Sequence, residues 1–584
     1  MKYVLVAVLG VPLLAQTKTP TYAHDIAPIL YKSCAPCHRP GESGPFSLLT
    51  YGDAKRHASE IAAVTRSRYM PPWLPEPGYG DFADDRRLTD EQIELISEWV
   101  SAKAPGGPAS ESPAPPHFTE GWQLGPPDLI LEAPHPLTLS ASGPDVFWNF
   151  IYHPQLSSTR YVRAIEIRPG DKRVVHHANL IIDRMHSSEK RETTAGAGFP
   201  GMDLDIESTV FDPAGHFLFW KPGSTPRIEP DGFAWRLDPG NDLVLNTHLK
   251  LTGKPEKVQP SVGLYFTDKP QTQFPVLIQL EHDGNLRIPA GNRDFLVTDD
   301  FRLPMDVEVL AVYPHAHYLG KVLEGYATLP DGKRLWLIRI NDWDLNWQAV
   351  YDYRTPVFLP KGTVISMRYQ YDNSAANPRN PNRPPRMVEA GNQATDEMGH
   401  LWLQVLIKGP GDRRRELEEA LMRHHIAKYP GDGTAYLNLG ALMLSRLETQ
   451  GAVTVLENAV TLQPEDSQAH NLLGAAFSRV GRLQEAIANF QTALKLDSDN
   501  ANARYNLVYA LVKAGKLDEA ADNLRAVVAA YPDDASLYNL WGELLVQQGK
   551  LPDAIAEFDK AITLKPDFED ARKNREITQA RIGK

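Results

Sequence analysis

The spacing of apolar residues changes character along the chain. Near the start it is helical. Asp25 to Tyr31 reads as a short helical stretch, and beyond Thr89 the residues Ile93, Ile96 and Val100 share one face with Leu95 and Trp99 beside them. Gln92 stands three residues after Thr89, a capping-box spacing that starts a helix there. From about Phe118 to Lys408 the pattern shortens to β-rich runs such as Tyr161–Ile167, Asp242–Leu245 and Val307–Val312. Turn sequences separate them, at Pro169-Gly170-Asp171, Pro239-Gly240-Asn241 and Pro330-Asp331-Gly332. Such runs over this length predict two antiparallel β-sandwiches in tandem, residues 118–268 and 269–408. From about Asp412 the pattern is helical again and periodic. Pro430, Pro464, Pro532 and Pro566 fall on a 34-residue grid with Ser498 at the missing node. Gly440, Gly474 and Gly542 keep that interval, and Gly481, Gly515 and Gly549 keep it in a phase of their own. Gly451 is out of phase, which makes the first repeat the poorest. The expected fold class is multidomain: a small α-helical domain (21–103), a Pro-, Gly- and Ser-rich linker (104–117), the tandem β-sandwiches, and an α-helical solenoid (412–580).

Composition narrows the setting. A net charge of −12 and a pI near 5.9 argue against a general nucleic-acid partner. Met1-Lys2 followed by the apolar run Tyr3 to Leu14 reads as a signal peptide cleaved after Ala15, with a retained anchor as the alternative. The run is too short to span a bilayer, and no later transmembrane segment is expected. The mature chain is therefore expected to be periplasmic or secreted.

The two cysteines of the sequence lie in Cys34-Ala35-Pro36-Cys37-His38. This spacing puts two thiols on one side of a helical turn, ready for thioether bonds to a porphyrin, and offers the His38 imidazole to the iron. A redox dithiol, half of a zinc site and chance are the competing explanations. A second cysteine pair is absent from the sequence, as is a strand–helix context for a dithiol. Haem c is the expected cofactor. Met70, ahead of Pro71 and Pro72, is the candidate for the second axial ligand; core packing is its alternative role, and His57 is the alternative ligand. The segment resembles a small class I cytochrome c, in which terminal helices pack beside the haem.

The β-rich region carries an ordered set of metal-ligand candidates: His176-His177, His248, His315-Ala316-His317, and Met398 in Asp396-Glu397-Met398-Gly399-His400. Residues two apart on a strand share a face, so His315 and His317 can meet one metal. Neighbours project oppositely, so His176 and His177 need a strand end, a bulge or strong twist to do so. Imidazole suits copper and zinc alike, whereas a thioether favours Cu(I). This order resembles the copper type II ascorbate-dependent monooxygenases, the family of peptidylglycine and dopamine hydroxylases, over most of residues 126–408. The resemblance implies two subdomains that each present one copper across an open cleft. It assigns His176, His177 and His248 to an electron-relay copper, and His315, His317 and Met398 to the copper that activates dioxygen; His400 falls outside the set. Two departures stand out. The region lacks the disulfides of the animal enzymes, and Tyr313 replaces the arginine by which the peptide-amidating member holds its substrate carboxylate, which argues against peptidylglycine. The implied partners are dioxygen and a small substrate, with the tethered haem replacing or supplementing ascorbate as the electron source.

The 34-residue period with small residues at helix crossings resembles tetratricopeptide repeats, about four of them, which implies a protein partner or a second copy on the concave face; a rigid spacer is the alternative role. The competing readings for the whole chain are a copper/haem electron-transfer or protein-interaction scaffold without hydroxylase activity, and a purely structural interaction protein built on the repeats.

Overall fold

The computed structural model describes residues 19–184, 186–192, 194, 196–202, 217 and 219–582. The expected signal peptide, residues 1–15, lies outside the described residues. The chain divides into two compact units, Met1–Asp412 and Arg413–Lys584. Among the described residues no helix is long and apolar enough to cross a membrane.

The first unit begins with a wide helical turn, Tyr22–Ile26, that runs into α1 (Ala27–Ser33). Then come α2 (Tyr51–Arg56), α3 (Ala58–Arg66) and α4 (Asp90–Ser101). Thr89 caps α4 with the full reciprocal box: its hydroxyl accepts from the Gln92 N–H at 3.2 Å, and the Gln92 side chain accepts from the Thr89 N–H at 3.0 Å. Ile26, Leu30, Ile96 and Trp99 are fully buried in one core, so the first and last helices share it. The Trp99 indole N–H, which burial would otherwise orphan, donates to the Pro105 carbonyl at 3.0 Å.

Antiparallel sheets follow. The strands β1 (Leu129–Glu132), β2 (Leu137–Leu139), β3 (Val146–Tyr152), β4 (Arg160–Arg168), β5 (Val175–Asp183), β6 (Phe199–Pro200), β7 (Phe219–Trp220), β8 (Trp235–Leu237), β9 (Asp242–Leu249), β10 (Glu256–Val258) and β11 (Ser261–Thr267) form a four-stranded sheet β1-β11-β4-β8, a five-stranded sheet β6-β3-β9-β5-β7 and the pair β10-β2. Leu131, Val162 and Leu264 from the first sheet and Phe150, Leu180 and Leu245 from the second belong to one buried cluster, so the sheets share a core. The strands β12 (Val276–Glu281), β13 (Arg287–Ile288), β14 (Phe295–Arg302), β15 (Val307–Ala316), β16 (Gly320–Thr328), β17 (Arg334–Ile340), β18 (Tyr351–Leu359), β19 (Val364–Tyr371), β20 (Val388–Glu389) and β21 (Gly399–Ile407) form the sheets β12-β21-β15-β18 and β14-β19-β16-β17 and the pair β13-β20. β14 alternates buried and exposed positions along Val297–Arg302, the period of a strand with one wet face.

The linker composition of residues 104–117 predicts a tether that keeps the helical part near the sheets without fixing it. The structure has direct contacts that the linker does not supply. Residues 73–86 lie along β17 and β18. Glu76 N–H donates to the Arg339 carbonyl at 2.8 Å, Ala83 N–H to the Asp352 carbonyl at 2.9 Å, and Arg354 N–H to the Asp81 carbonyl at 2.9 Å. Phe82, 3% exposed, packs against Trp73, Tyr351 and Tyr353.

The second unit is all helical: α5 (Arg414–Lys428), α6 (Gly433–Ser445), α7 (Thr449–Leu462), α8 (Ser467–Arg479), α9 (Leu483–Leu496), α10 (Ala501–Lys513), α11 (Leu517–Ala530), α12 (Ala535–Gln547), α13 (Leu551–Leu564) and α14 (Glu569–Ile582). The helices α6, α8, α10, α12 and α14 start at residues 433, 467, 501, 535 and 569, a constant step of 34. Asp432, Asp466, Asn500 and Asp534 cap the first four of these helices through their side chains. The helix-crossing glycines have a steric cause. A Cβ on Gly474 would stand 2.7 Å from the Phe490 ring, and one on Gly542 2.4 Å from the Phe558 ring.

Candidate metal and haem centres

A bulge at the start of β5 brings adjacent histidines together. Pairing with β9 steps from Val175↔Leu249 to His177↔His248, so His176 is the extra residue and turns to the same side as its neighbour. The ring centroids of His176, His177 and His248 are 5.0–5.2 Å apart, and one donor atom from each lies within 4.8 Å of the others. His176 and His177 approach Nδ1 to Nδ1 at 3.1 Å. His248 is held from behind: Nε2–H donates to Asp145 Oδ2 at 2.8 Å, and Phe147, its cross-strand partner on β3, stacks on the ring at 4.4 Å. Burial, then the positive charge of Lys250, pushes His176 down to about 3. Burial and the neighbouring His248 hold His177 well below the ordinary range. Both are neutral bases at neutral pH, the form that ligates metal.

His315 and His317 converge as their spacing on one strand face requires, with ring centroids 5.2 Å apart. Burial holds both below the ordinary histidine range. Trp343 donates its indole N–H to the carbonyls of Ala316 and His317, each at 3.1 Å, and fixes the end of β15. β21 pairs with β15 at His315↔His400 and Ala316↔Gly399, so Met398 and His317 follow that last pair in step. The fully buried carboxylate of Glu397 ties the two ends: Oε1 accepts from the N–H groups of His317 and Met398, and Oε2 from Leu319 N–H at 2.9 Å. Tyr371 O–H donates to the Met398 carbonyl at 2.7 Å. His400 pairs with Asp283, its ring 6.0 Å from that of His315.

The resemblance implies an open cleft between the two groups, but one side chain spans them. Gln348 Oε1 accepts from Tyr313 O–H at 2.7 Å and from His315 Nδ1–H at 2.9 Å, while its Nε2 lies 3.4 Å from His177 Nδ1. A single amide therefore joins an imidazole of each group. Lys250, just past β9, donates to Asn346 at 2.6 Å and closes the same junction.

The donor chemistry fits copper at the three-imidazole group. His176 and His177, both lowered by burial, meet Nδ1 to Nδ1 beside His248 and offer uncharged imidazole nitrogen to a metal ion. It fits haem at the cysteine motif as well. Cys34 caps the end of α1, His38 N–H donates to the Cys34 carbonyl at 2.9 Å, and His38 Nδ1–H donates to the Phe46 carbonyl at 3.2 Å, which leaves Nε2 for a metal. Both cysteines are free thiols. Burial pushes the Cys34 thiol up to about 12 and also raises Cys37, which argues against an activated dithiol. The Phe46 ring touches His38 (5.0 Å) and stacks on His57 (3.7 Å), so one ring packs against both histidines. Met70 lines a cavity of 620 Å³ with Trp73, Ile93 and Trp347, whose wall includes neither His38 nor the cysteines.

Asp145, Gln348, Trp343, Glu397 and Phe46 escaped sequence reading. Glu397 stands inside the Asp-Glu-Met motif, and that adjacency is its one sequence signal; Asp145, Trp343 and Gln348 approach from distant positions with none, and Phe46, 8 residues after His38, carries none either.

Two family models match the C-terminal unit, described as tetratricopeptide repeat over residues 505–567 and TPR repeat over residues 477–513. No curated protein matches the chain. Similar solved structures include MamA (41-end) from Desulfovibrio magneticus RS-1, at 26% identity over 26% of this chain and 85% of that one, with a TM-score of 0.25. TTC0263, a thermophilic TPR protein of Thermus thermophilus, has 19% identity over 29% of this chain and 91% of that one, with a TM-score of 0.25. YrrB, a TPR protein with an unusual peptide-binding site, has 24% identity over 28% of this chain and 84% of that one, again at 0.25. The C-terminal unit is a tetratricopeptide-repeat array.

Proposed function

We propose that the chain is an exported copper-dependent monooxygenase that hydroxylates a C–H bond of a small substrate, with electrons delivered through a haem c on its own N-terminal domain. One observation carries the reading: three imidazoles converge within 4.8 Å, and one amide separates them from a second imidazole pair. In this reading His176, His177 and His248 hold the electron-relay copper, and His315, His317 and Met398 hold the copper that meets dioxygen. Cys34 and Cys37 would carry the haem, and His38 would offer its imidazole to the iron. Bound copper would supply one-electron exchange with dioxygen. The balance is one C–H bond converted to C–OH and one oxygen atom released as water, for two electrons and two protons taken up.

The surrounding residues have definite tasks. Asp145 fixes the ring orientation of His248, and Trp343 and Glu397 fix the main chain that presents His317 and Met398. Gln348 sets the distance between the two groups. Burial keeps His176, His177 and His315 unprotonated and free to ligate. Met70 is proposed as the second haem ligand; loss of its spectral signature in Met70→Ala but not in His57→Ala supports it, and the reverse assigns His57.

The test loads the full chain with copper and haem and follows oxygen uptake with reductant and candidate substrates, with labelled dioxygen to mark products. The expected result is two coppers per chain and label in a hydroxylated product, lost in His315→Ala. Copper and haem bound with no substrate-dependent uptake overturns the hydroxylase. It leaves a second reading that the repeat array favours: an electron-transfer scaffold whose repeats dock a protein partner.

A further inference from the structure

At the end of β9 remote from His248, four donor side chains meet outside every group described above. His153 follows β3, Asp242 opens β9, and His186 and Glu189 lie on the loop after β5. His153 Nδ1 is 2.8 Å from Asp242 Oδ1 and 3.5 Å from Glu189 Oε1. His186 Nδ1 is 2.6 Å from the other Asp242 oxygen and 3.6 Å from the same Glu189 oxygen. One donor atom from each of His153, Glu189 and Asp242 lies within 4.8 Å of the others. Among the described residues, Asp242 is buried while its partners are open to solvent, so the cluster has a fixed base.

The loop is held in place for this. Asp183, fully buried at the end of β5, accepts from the Ser188 N–H at 2.7 Å and from the hydroxyls of Ser187 and Ser188. His186 occupies the left-handed backbone region (φ 53°), unfavourable for a histidine, and in that conformation its ring reaches Asp242.

We propose that His153, Asp242 and Glu189 bind a zinc ion that pins the loop after β5 to the end of the five-stranded sheet, with His186 holding the other Asp242 oxygen in place. Two carboxylates neutralise a divalent charge, and the donors are imidazole and oxygen without sulfur, which suits zinc and gives Cu(I) no preference. Tetrahedral zinc with bonds of about 2.0–2.1 Å sets neighbouring donors about 3.4 Å apart. The His153–Glu189 separation, 3.5 Å, already meets that spacing, and the His153–Asp242 contact at 2.8 Å needs only a sub-ångström opening. The site does not depend on the hydroxylase reading. His248 lies six residue steps along extended β9 from Asp242, about 20 Å of strand.

The test is equilibrium dialysis of the full chain against micromolar zinc, with metal analysis of wild type, His248→Ala and the double variant His186→Ala/Glu189→Gln. Zinc captured by the three-imidazole group disappears in His248→Ala, so the two zinc counts are separable. The expected result is one zinc equivalent lost specifically in the double variant, with amide exchange of residues 186–192 slowed by zinc in wild type and His248→Ala but not in the double variant. These are solvent-facing loop side chains, and circular dichroism checks that the variant is folded. Equal zinc content in wild type and the double variant, or no zinc beyond the part lost in His248→Ala, overturns the site.

Discussion

At the residue scale, the neighbours of the ligand candidates carry as much consequence as the candidates themselves. Asp145 accepts the Nε2–H of His248 and so settles which ring nitrogen faces the other imidazoles. Asp145→Asn keeps the shape and loses the charge. We expect copper affinity at the three-imidazole group to fall about 10- to 100-fold, the usual effect of such partners, measured by chelator competition with copper stoichiometry unchanged at saturation. Unaltered affinity would show that Phe147 stacking alone orients the ring. Lys221 offers a second test. Burial, then the Arg86 charge beside it, lowers its ammonium from 10.5 to about 8. A lysine depressed in the fold is least costly above its unfolded value. The cost grows as pH falls from about 10.5 towards 8 and is constant below. Lys221→Met should therefore be more stable than wild type at pH 7, and the gap should close between pH 8 and 10.5, read from denaturant unfolding at each pH. A gap independent of pH would assign the difference to packing.

At the element scale, the sequence was most legible where one rule repeats. The 34-residue grid placed the repeat helices because each position recurs in the same packing. Its irregular nodes also have physical reasons. The phase of Gly481, Gly515 and Gly549, all at positive φ, puts residue 447 in the first repeat, where Leu447 holds φ 63° with 77% of its surface exposed. The turn is kept although its glycine is missing, and Gly451 is an internal residue of α7 instead. Val508 fills the node between Gly474 and Gly542. The residue sixteen positions later is Leu524 there, where Gly474 and Gly542 have Phe490 and Phe558, so volume moves from one helix to the other. Leu447→Gly removes a left-handed side chain worth about 1–2 kcal/mol against a glycine entropy cost of about 0.5–1 kcal/mol. We expect a net gain of about 0.5–1 kcal/mol, seen as a higher denaturant midpoint with an unchanged slope; a loss would mean that Leu447 packs in a way its exposure denies. The β region was less legible. Short runs announced strands, but the bulge at His176 follows from how β5 pairs with β9, which local sequence does not encode. Asp145 and Gln348 reach their histidines from 103 and 33 residues away along the chain.

At the scale of the first unit, the question is whether the helical N-terminal part is a passenger on a tether or a docked component. Composition of residues 104–117 argued for the tether. The contacts argue for docking, because Phe82 is buried among Trp73, Tyr351 and Tyr353, and main-chain hydrogen bonds flank it on both sides. The same face sets Tyr69 edge-on to Trp347 at 5.7 Å, and Trp347 precedes Gln348, the residue that touches both imidazole groups. Docking thus places an aromatic contact between the Met70 loop and the metal-ligand candidates. Phe82→Ala removes a buried ring at that joint, a change worth about 3–5 kcal/mol in a well-packed core. A tethered passenger would tolerate this with unchanged exchange elsewhere. A docked domain should show faster amide exchange across residues 73–86 while α4 and β15 stay protected. In copper- and haem-loaded protein, reoxidation of haem by Cu(II) should slow at least tenfold and remain independent of protein concentration. If the rate holds while exchange rises, electrons leave the haem by a face other than the Tyr69–Trp347 contact; if neither changes, Phe82 does not hold the joint and the helical part behaves as the tethered passenger.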